Sequence, residues 1–124
     1  VKRARAAGCT IVSRRTGRVL LVRRSKHVPR PYLWSIPAGS IDAGESAIHA
    51  ALREVHEEVG FDGQMTVLFD EQDGGFVNFA CEVDREFKPK LNFENDDVGW
   101  FAFDALPSPL FPGLKRFLSR VSAW

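Results

Sequence analysis

Three glutamates, Glu54, Glu57 and Glu58, stand within the six-residue stretch REVHEE. Carboxylates that close repel one another, so the arrangement calls either for water around a charged face or for a cation among the oxygens. On a helix turning about 100° per residue, positions i, i+3 and i+4 are neighbours, which brings the three side chains together. Oxygens converging at that spacing suit a hard divalent cation, Mg²⁺ or Mn²⁺, and leave coordination sites for water and phosphate oxygens. Arg53 precedes Glu57 by four residues, an ion pair in the weaker orientation, and one arginine cannot neutralise three glutamates. Taken alone, the helix leaves both readings open, a solvated acidic face and a cation site.

The elements around it are legible in outline. Ser46 is placed to cap a helix running to about Val59, and Gly60 stands where a C-cap glycine is expected. Ile48, Ala51, Leu52, Val55 and Val59 form a stripe that packs on a sheet, with the glutamates on a different face. Ala47, Ala50 and Ala51 keep the helix slim, so a neighbour can come close. AAGCTIV and RVLLVRR read as a hairpin around SRRTG, followed by a loop, SKHVPRPY. LWSIPAG reads as one short strand stopped by Pro37 and turned at Gly39. FDGQMTVLFDEQ and GFVNFACEVD flank the turn signal DGG, and in the second run Val77, Phe79, Cys81 and Val83 alternate with the other set. EFKPKLNFENDD is a loop, VGWFAF a strand, and a terminal helix starts near Pro112. Several strands with one central and one terminal helix predict a mixed α+β layered fold, and no repeat or linker divides residues 1–124 into more than one domain.

Composition is that of a soluble globular protein, 44% hydrophobic and 27% charged. No apolar run approaches the roughly 20 residues of a membrane span. The basic opening VKRARAAGCTIVSRR lacks the apolar core of a signal peptide. Cys9 and Cys81 fall in strands without metal-type spacing, so a cytoplasmic location with reduced thiols is expected. The net charge of +1 hides an asymmetry: residues 1–41 hold ten Lys or Arg and no acid, residues 42–97 fifteen acids and four bases. A basic segment beside an acidic one suits an anionic ligand held through cations, although solvated strand faces give the same pattern.

The stretch from Gly39 to Phe61 resembles the Nudix box, G-x5-E-x7-R-E-U-x-E-E-x-G-U, where U is aliphatic or similarly apolar. Gly39, Glu45, Arg53, Glu54, Val55, Glu57, Glu58 and Gly60 fill their positions, and Phe61 alone stretches the aliphatic preference. The likeness to MutT-type members extends over roughly residues 6–118, through VLLVRRSKHVPRPYLWSIPAG and DDVGWFAFDALP. The resemblance implies an α/β/α sandwich around a mixed sheet, with the box helix on one side and the C-terminal helix on the other. It also implies Mg²⁺- or Mn²⁺-dependent hydrolysis of the pyrophosphate in a nucleoside diphosphate linked to another group. In that reading Glu54, Glu57 and Glu58 hold the cation and Arg53 orients them. Glu45, Gly39 and Gly60 are structural, and the Ala38 carbonyl joins the metal shell where many members have glycine.

The general base is implied to be either a box glutamate or a later loop carboxylate. Asp97 is preferred, then Glu94, with Glu54 as the box alternative; Asp96 is a further loop acid. Arg23 and Arg24 end the second strand beside the substrate loop, and Arg23 is the expected phosphate ligand, ahead of Arg30 and Lys26. Tyr32, Trp34 and Phe111 are candidates for stacking a base, while Trp100 reads as core and His27, His49 and His56 as surface. SPLFPG carries no counterpart of the asparagine that reads oxidised purine in MutT, and the long extra N-terminal domain common in sugar-nucleotide and ADP-ribose hydrolases is expected to be absent. A nucleoside triphosphate or small dinucleotide is therefore the favoured substrate, for a monomer or homodimer without membrane attachment. Two other readings are carried. One is removal of pyrophosphate from an RNA 5′ end, prompted by the basic first third. The other is an inactive nucleotide-binding module, which the complete box disfavours.

Overall fold

The computed structural model describes residues 3–124. Val1 and Lys2, the start of the basic opening stretch, lie outside the described residues. Period-two alternation puts side chains on opposite faces of a strand, and here both faces are apolar because both are covered. Ala7, Cys9 and Ile11 of β1 (Ala6–Ser13) and Leu20 and Val22 of β2 (Val19–Arg24) point one way, while Val19 and Leu21 point the other. β3 (Trp34–Ser35) and β4 (Ala38–Ser40) follow, then α1 (Ala47–Val59). The hairpin of β5 (Thr66–Asp73) and β6 (Phe76–Val83) leads to β7 (Asn95–Phe101) and α2 (Leu114–Ala123).

All seven strands join one mixed sheet in the order β3-β2-β1-β6-β5, with β4 added to β1 and β7 to β2. β1 and β6 run parallel through the centre, from Ala6 opposite Phe76 to Ser13 opposite Val83. Helix α1 covers one face, where Ala50, Ala51, Val55 and Val59 meet Cys9, Ile11, Phe79 and Cys81. Burying Val55 and Val59 contributes about 1.5–3 kcal/mol each. Helix α2 covers the other through Leu114, Phe117, Leu118 and Val121. The result is the α/β/α sandwich expected from the resemblance. Cys9 and Cys81 are free thiols with sulfurs 3.9 Å apart in the core. Among the described residues no helix is long and apolar enough to cross a membrane.

The ends of α1 fall where its sequence puts them. The Ser46 hydroxyl accepts the His49 N–H at 3.2 Å, and Gly60 takes the left-handed conformation (φ 72°) while its N–H bonds His56 O. Two expectations need correction. LWSIPAG is two strands rather than one: β3 pairs with β2 and β4 with β1, because the chain changes partner across Ile36 and Pro37. Leu52 is 39% exposed, and its place on the buried side is taken by Ala50 and by two glutamates, Glu54 and Glu58.

Candidate active site

Glu54 and Glu58 are one helical turn apart on the side of α1 that faces β4, and both are buried. Gly39 of β4 makes their approach feasible. A Cβ at that position would stand 2.0 Å from Glu54 Oε2, so only a residue without one lets the strand pass. Glu58 accepts the Ala38 N–H at 3.1 Å and the Asn95 Nδ2 amide at 2.8 Å. Ala38 thus meets the carboxylates through its N–H. Glu94, just ahead of β7, supplies a third carboxylate: single oxygens of Glu54, Glu58 and Glu94 lie within 4.8 Å of one another. The Glu94 backbone is pinned there, its carbonyl accepting Ser25 N–H and its N–H bonding Asn92 Oδ1.

Burial raises the Glu58 carboxyl to about 8, the Glu94 charge adding to the rise and the Asn95 hydrogen bond opposing it. Glu54 is also raised, first by burial and then by the Glu57 charge. Two adjacent carboxyls, both raised by burial, form a pair whose negative charge a bound cation would offset.

Arg53 organises the surrounding acids. Its Nε and Nη2 donate to both oxygens of Glu45 at 2.8 and 3.0 Å, and Nη2 also reaches Ser40 O at 2.9 Å. Nη1 bonds Glu54 at 3.1 Å and Glu57 at 3.1 and 3.2 Å. The guanidinium, with the Asp42 N–H, holds the Glu45 carboxyl down to about 2. Glu45 is therefore a fixed anion that ties the turn after β4 to the helix.

The three box glutamates do not share one environment. Glu57 is exposed with its carboxylate on Arg53, and among the described residues the third member of the buried cluster is Glu94. Asp97 is exposed, its carboxylate accepting the Val98 N–H, while Asp96 bonds Arg23 Nε at 2.7 Å. Arg23 lies over the Tyr32 ring. Arg24, from the adjacent position, holds Pro29 O and lies over Phe111, which Arg30 also faces. Trp34 packs edge-on against Phe101, and His27, His49 and His56 are exposed.

A cavity of about 380 Å³ opens between the sheet and the start of α2, lined by Arg24, Ala38, Gly39, Asn78, Phe111 and Leu114 among others. Ala38 and Gly39 line this cavity and also touch the carboxylate cluster, Ala38 through its N–H to Glu58 and Gly39 by packing against Glu54. Asn95 and Asn78 escaped the reading of the sequence. The available signal was an asparagine at an inward position of a strand, a polar group that must find a partner.

The NUDIX domain family model matches residues 2–121. The chain belongs to the Nudix family. It is 38% identical over 95 residues to the NAD-capped RNA hydrolase NudC of Pseudomonas aeruginosa, covering 72% of this chain and 33% of that protein. The chain thus spans about a third of that relative's length. A MutT NUDIX hydrolase from Burkholderia pseudomallei superposes with a TM-score of 0.69 at 29% identity, covering 96% of this chain and 98% of that one. An Ap4A hydrolase from C. elegans, at 23% identity and a TM-score of 0.79 over 95% of this chain and 96% of its own, shares the fold.

This donor set has the chemistry of a hard cation site: carboxylate oxygens alone, two from α1 and one from the residue just ahead of β7, at a spacing that an ion can bridge. The raised Glu58 and Glu54 carboxyls fit the same reading, since a cation would offset the cost of burying their charge.

Proposed function

We propose that this Nudix domain hydrolyses a pyrophosphate bond in a nucleoside diphosphate linked to a further group, with Mg²⁺ or Mn²⁺. The observation that carries the reading is the convergence of Glu54, Glu58 and Glu94 behind Gly39, beside a cavity of nucleoside size. Glu54 and Glu58 would hold the cation, with Glu57, now paired with Arg53, as a further ligand. A divalent cation bound there supplies charge neutralisation for the phosphate oxygens and a lowered pKa for water. The chain's own residues do the rest. Arg53 fixes Glu54 through Nη1 and is itself fixed by Glu45. Glu94, from a separate element, takes the proton of the attacking water; Asp97, turned to its neighbour's N–H, is set aside for this role. The nucleoside enters the cavity against Phe111 and Leu114, and Arg24 at its edge meets phosphate. Phosphoryl transfer asks chiefly for positioning and charge neutralisation, and these groups offer both.

A second reading, hydrolysis at an RNA 5′ end in the cytoplasm, draws on Arg23, Arg24 and Arg30 set over Tyr32 and Phe111, and on the NudC relative. The deciding experiment is a screen of nucleoside triphosphates, dinucleotides, nucleotide sugars and 5′-triphosphorylated RNA with Mg²⁺ or Mn²⁺, with products identified. A nucleoside monophosphate product supports the main reading. Turnover of RNA alone would replace it with the second. Nucleotide binding without any product over hours would reduce the chain to a binding module.

A further inference from the structure

Two buried polar side chains face the cavity without a protein partner. Asn78 and Ser35 are 7% and 9% exposed, and among the described residues no hydrogen bond is made by Asn78 Nδ2 or Ser35 Oγ. Among the described residues no fully buried side-chain nitrogen or oxygen lacks a partner, so these two atoms are reached from the cavity, where a largely buried polar pair is available to a ligand. The orientation of Asn78 is fixed by Thr10. The Thr10 hydroxyl is fully buried and donates to Asn78 Oδ1 at 3.0 Å. Turning the amide over would leave that hydroxyl hydrogen without an acceptor, so Oδ1 stays on Thr10 and Nδ2 faces the cavity.

The ligand chemistry follows from the rest of the lining. Ile36, Phe76, Phe111, Leu114 and Phe117 make it apolar, which suits a flat neutral ring rather than a phosphate. The two carboxylates on its edge are already engaged, Glu71 by Arg120 at 2.6 and 2.7 Å and Asp73 by Arg116 at 4.0 Å. The start of α2 lines the same space through Gly113 and Leu114, the Leu114 N–H being held by Phe111 O. The interior therefore offers donors. In a nucleotide held by its phosphates at the carboxylate cluster, the group farthest from the glycosidic bond enters deepest. That group is the 6-substituent of a purine or the 4-substituent of a pyrimidine.

We propose that Asn78 is the specificity-determining residue of the cavity, its Nδ2 donating to a carbonyl at that position, so that oxo bases are preferred over amino bases. The proposal rests on the cavity being the nucleoside site, and it assigns that site's substrate class. An amino group there would set donor against donor and leave Asn78 unpaired, which is the strong form of discrimination.

The test is calorimetric titration, in Mg²⁺, of the matched pairs IMP and AMP, and UMP and CMP, monophosphates that hold no pyrophosphate bond to cleave. Wild type, Asn78→Asp and Thr10→Val are compared. The wild type is expected to bind the oxo member at least about fivefold more tightly in each pair. Asn78→Asp keeps the acceptor for Thr10, replaces the donor with an acceptor, and should invert the ratio. Thr10→Val keeps the buried shape, frees the amide, and should bring the ratio toward one. Equal affinities in the wild type, a ratio unchanged in Asn78→Asp, or no binding of any of the four overturns the proposal. Hydrolysis of the four corresponding triphosphates in Mg²⁺ separates it from the proposed function. Turnover blind to the base removes Asn78 and leaves the hydrolase standing; selective binding without turnover removes the hydrolase and leaves Asn78.

Discussion

Glu58 shows most plainly what a buried carboxyl costs and what it is for. Its carboxyl is raised from 4.5 to about 8 by burial and by Glu94. In the metal-free protein the folded state therefore binds more protons than the unfolded state between those values, and stability falls as pH rises through that window. Above about 8 the loss is complete. Glu58→Gln removes the titration, so its melting temperature in EDTA at pH 8 should exceed that of the wild type by several degrees, equivalent to about 1 kcal/mol or more. At pH 4 the two should be close. A wild-type protein no less stable at pH 8 than at pH 5 would contradict the burial argument. Arg53 acts through its neighbours. Arg53→Lys keeps the charge but loses the fork that holds Glu45, Glu54 and Glu57 together. Loss of such a supporting contact lowers cation affinity or turnover by about 10–100-fold, with secondary structure retained by circular dichroism.

At the scale of elements, the site is a crossing of β4 over α1, and Gly39 is the point of contact. Gly39→Ala would press a methyl group onto the Glu54 carboxylate. The expected result is an intact fold with cation affinity reduced by about tenfold or more, measured by Mn²⁺ titration. Gly60→Ala forces a left-handed φ of 72° on a residue with a Cβ. It should cost about 1 kcal/mol in denaturant unfolding and leave substrate affinity unchanged. The sequence foretold α1 from Ser46 to Gly60 because caps and an apolar stripe are local signals. It also placed the β5–β6 hairpin, through DGG and strict alternation. The break inside LWSIPAG was hidden, since which strand a segment pairs with is decided by the sheet. The separation of Glu57 from Glu54 and Glu58 was hidden too. All three lie on adjacent helical positions, and only the approach of β4 selects two of them for burial. Glu94 was visible as an acid but not as the partner of α1, because Asn92 and Ser25 position it.

Across the whole molecule the acidic centre and the basic rim divide the work. α1 and the residue just ahead of β7 gather the carboxylates, while Arg23, Arg24 and Arg30 stand around Tyr32 and Phe111. A cation bound only by the folded state must stabilise the whole domain by mass action. At a concentration a hundred times its Kd that amounts to about 2.7 kcal/mol. Mn²⁺ or Mg²⁺ should therefore raise the melting temperature of the wild type, more at pH 8 than at pH 6, because the raised Glu54 and Glu58 carboxyls must be deprotonated to bind it. Glu58→Gln should show little of this rise. The central claim is that these buried carboxylates hold the cation that permits pyrophosphate cleavage. Its most direct test is the rate of nucleoside monophosphate release, as Mg²⁺ is varied, from the best substrate of the screen. The account predicts saturable Mg²⁺ dependence in the wild type and a loss of about 100-fold or more in folded Glu58→Gln at every Mg²⁺ concentration. Near-normal turnover in Glu58→Gln, or wild-type turnover undiminished by EDTA, would contradict it.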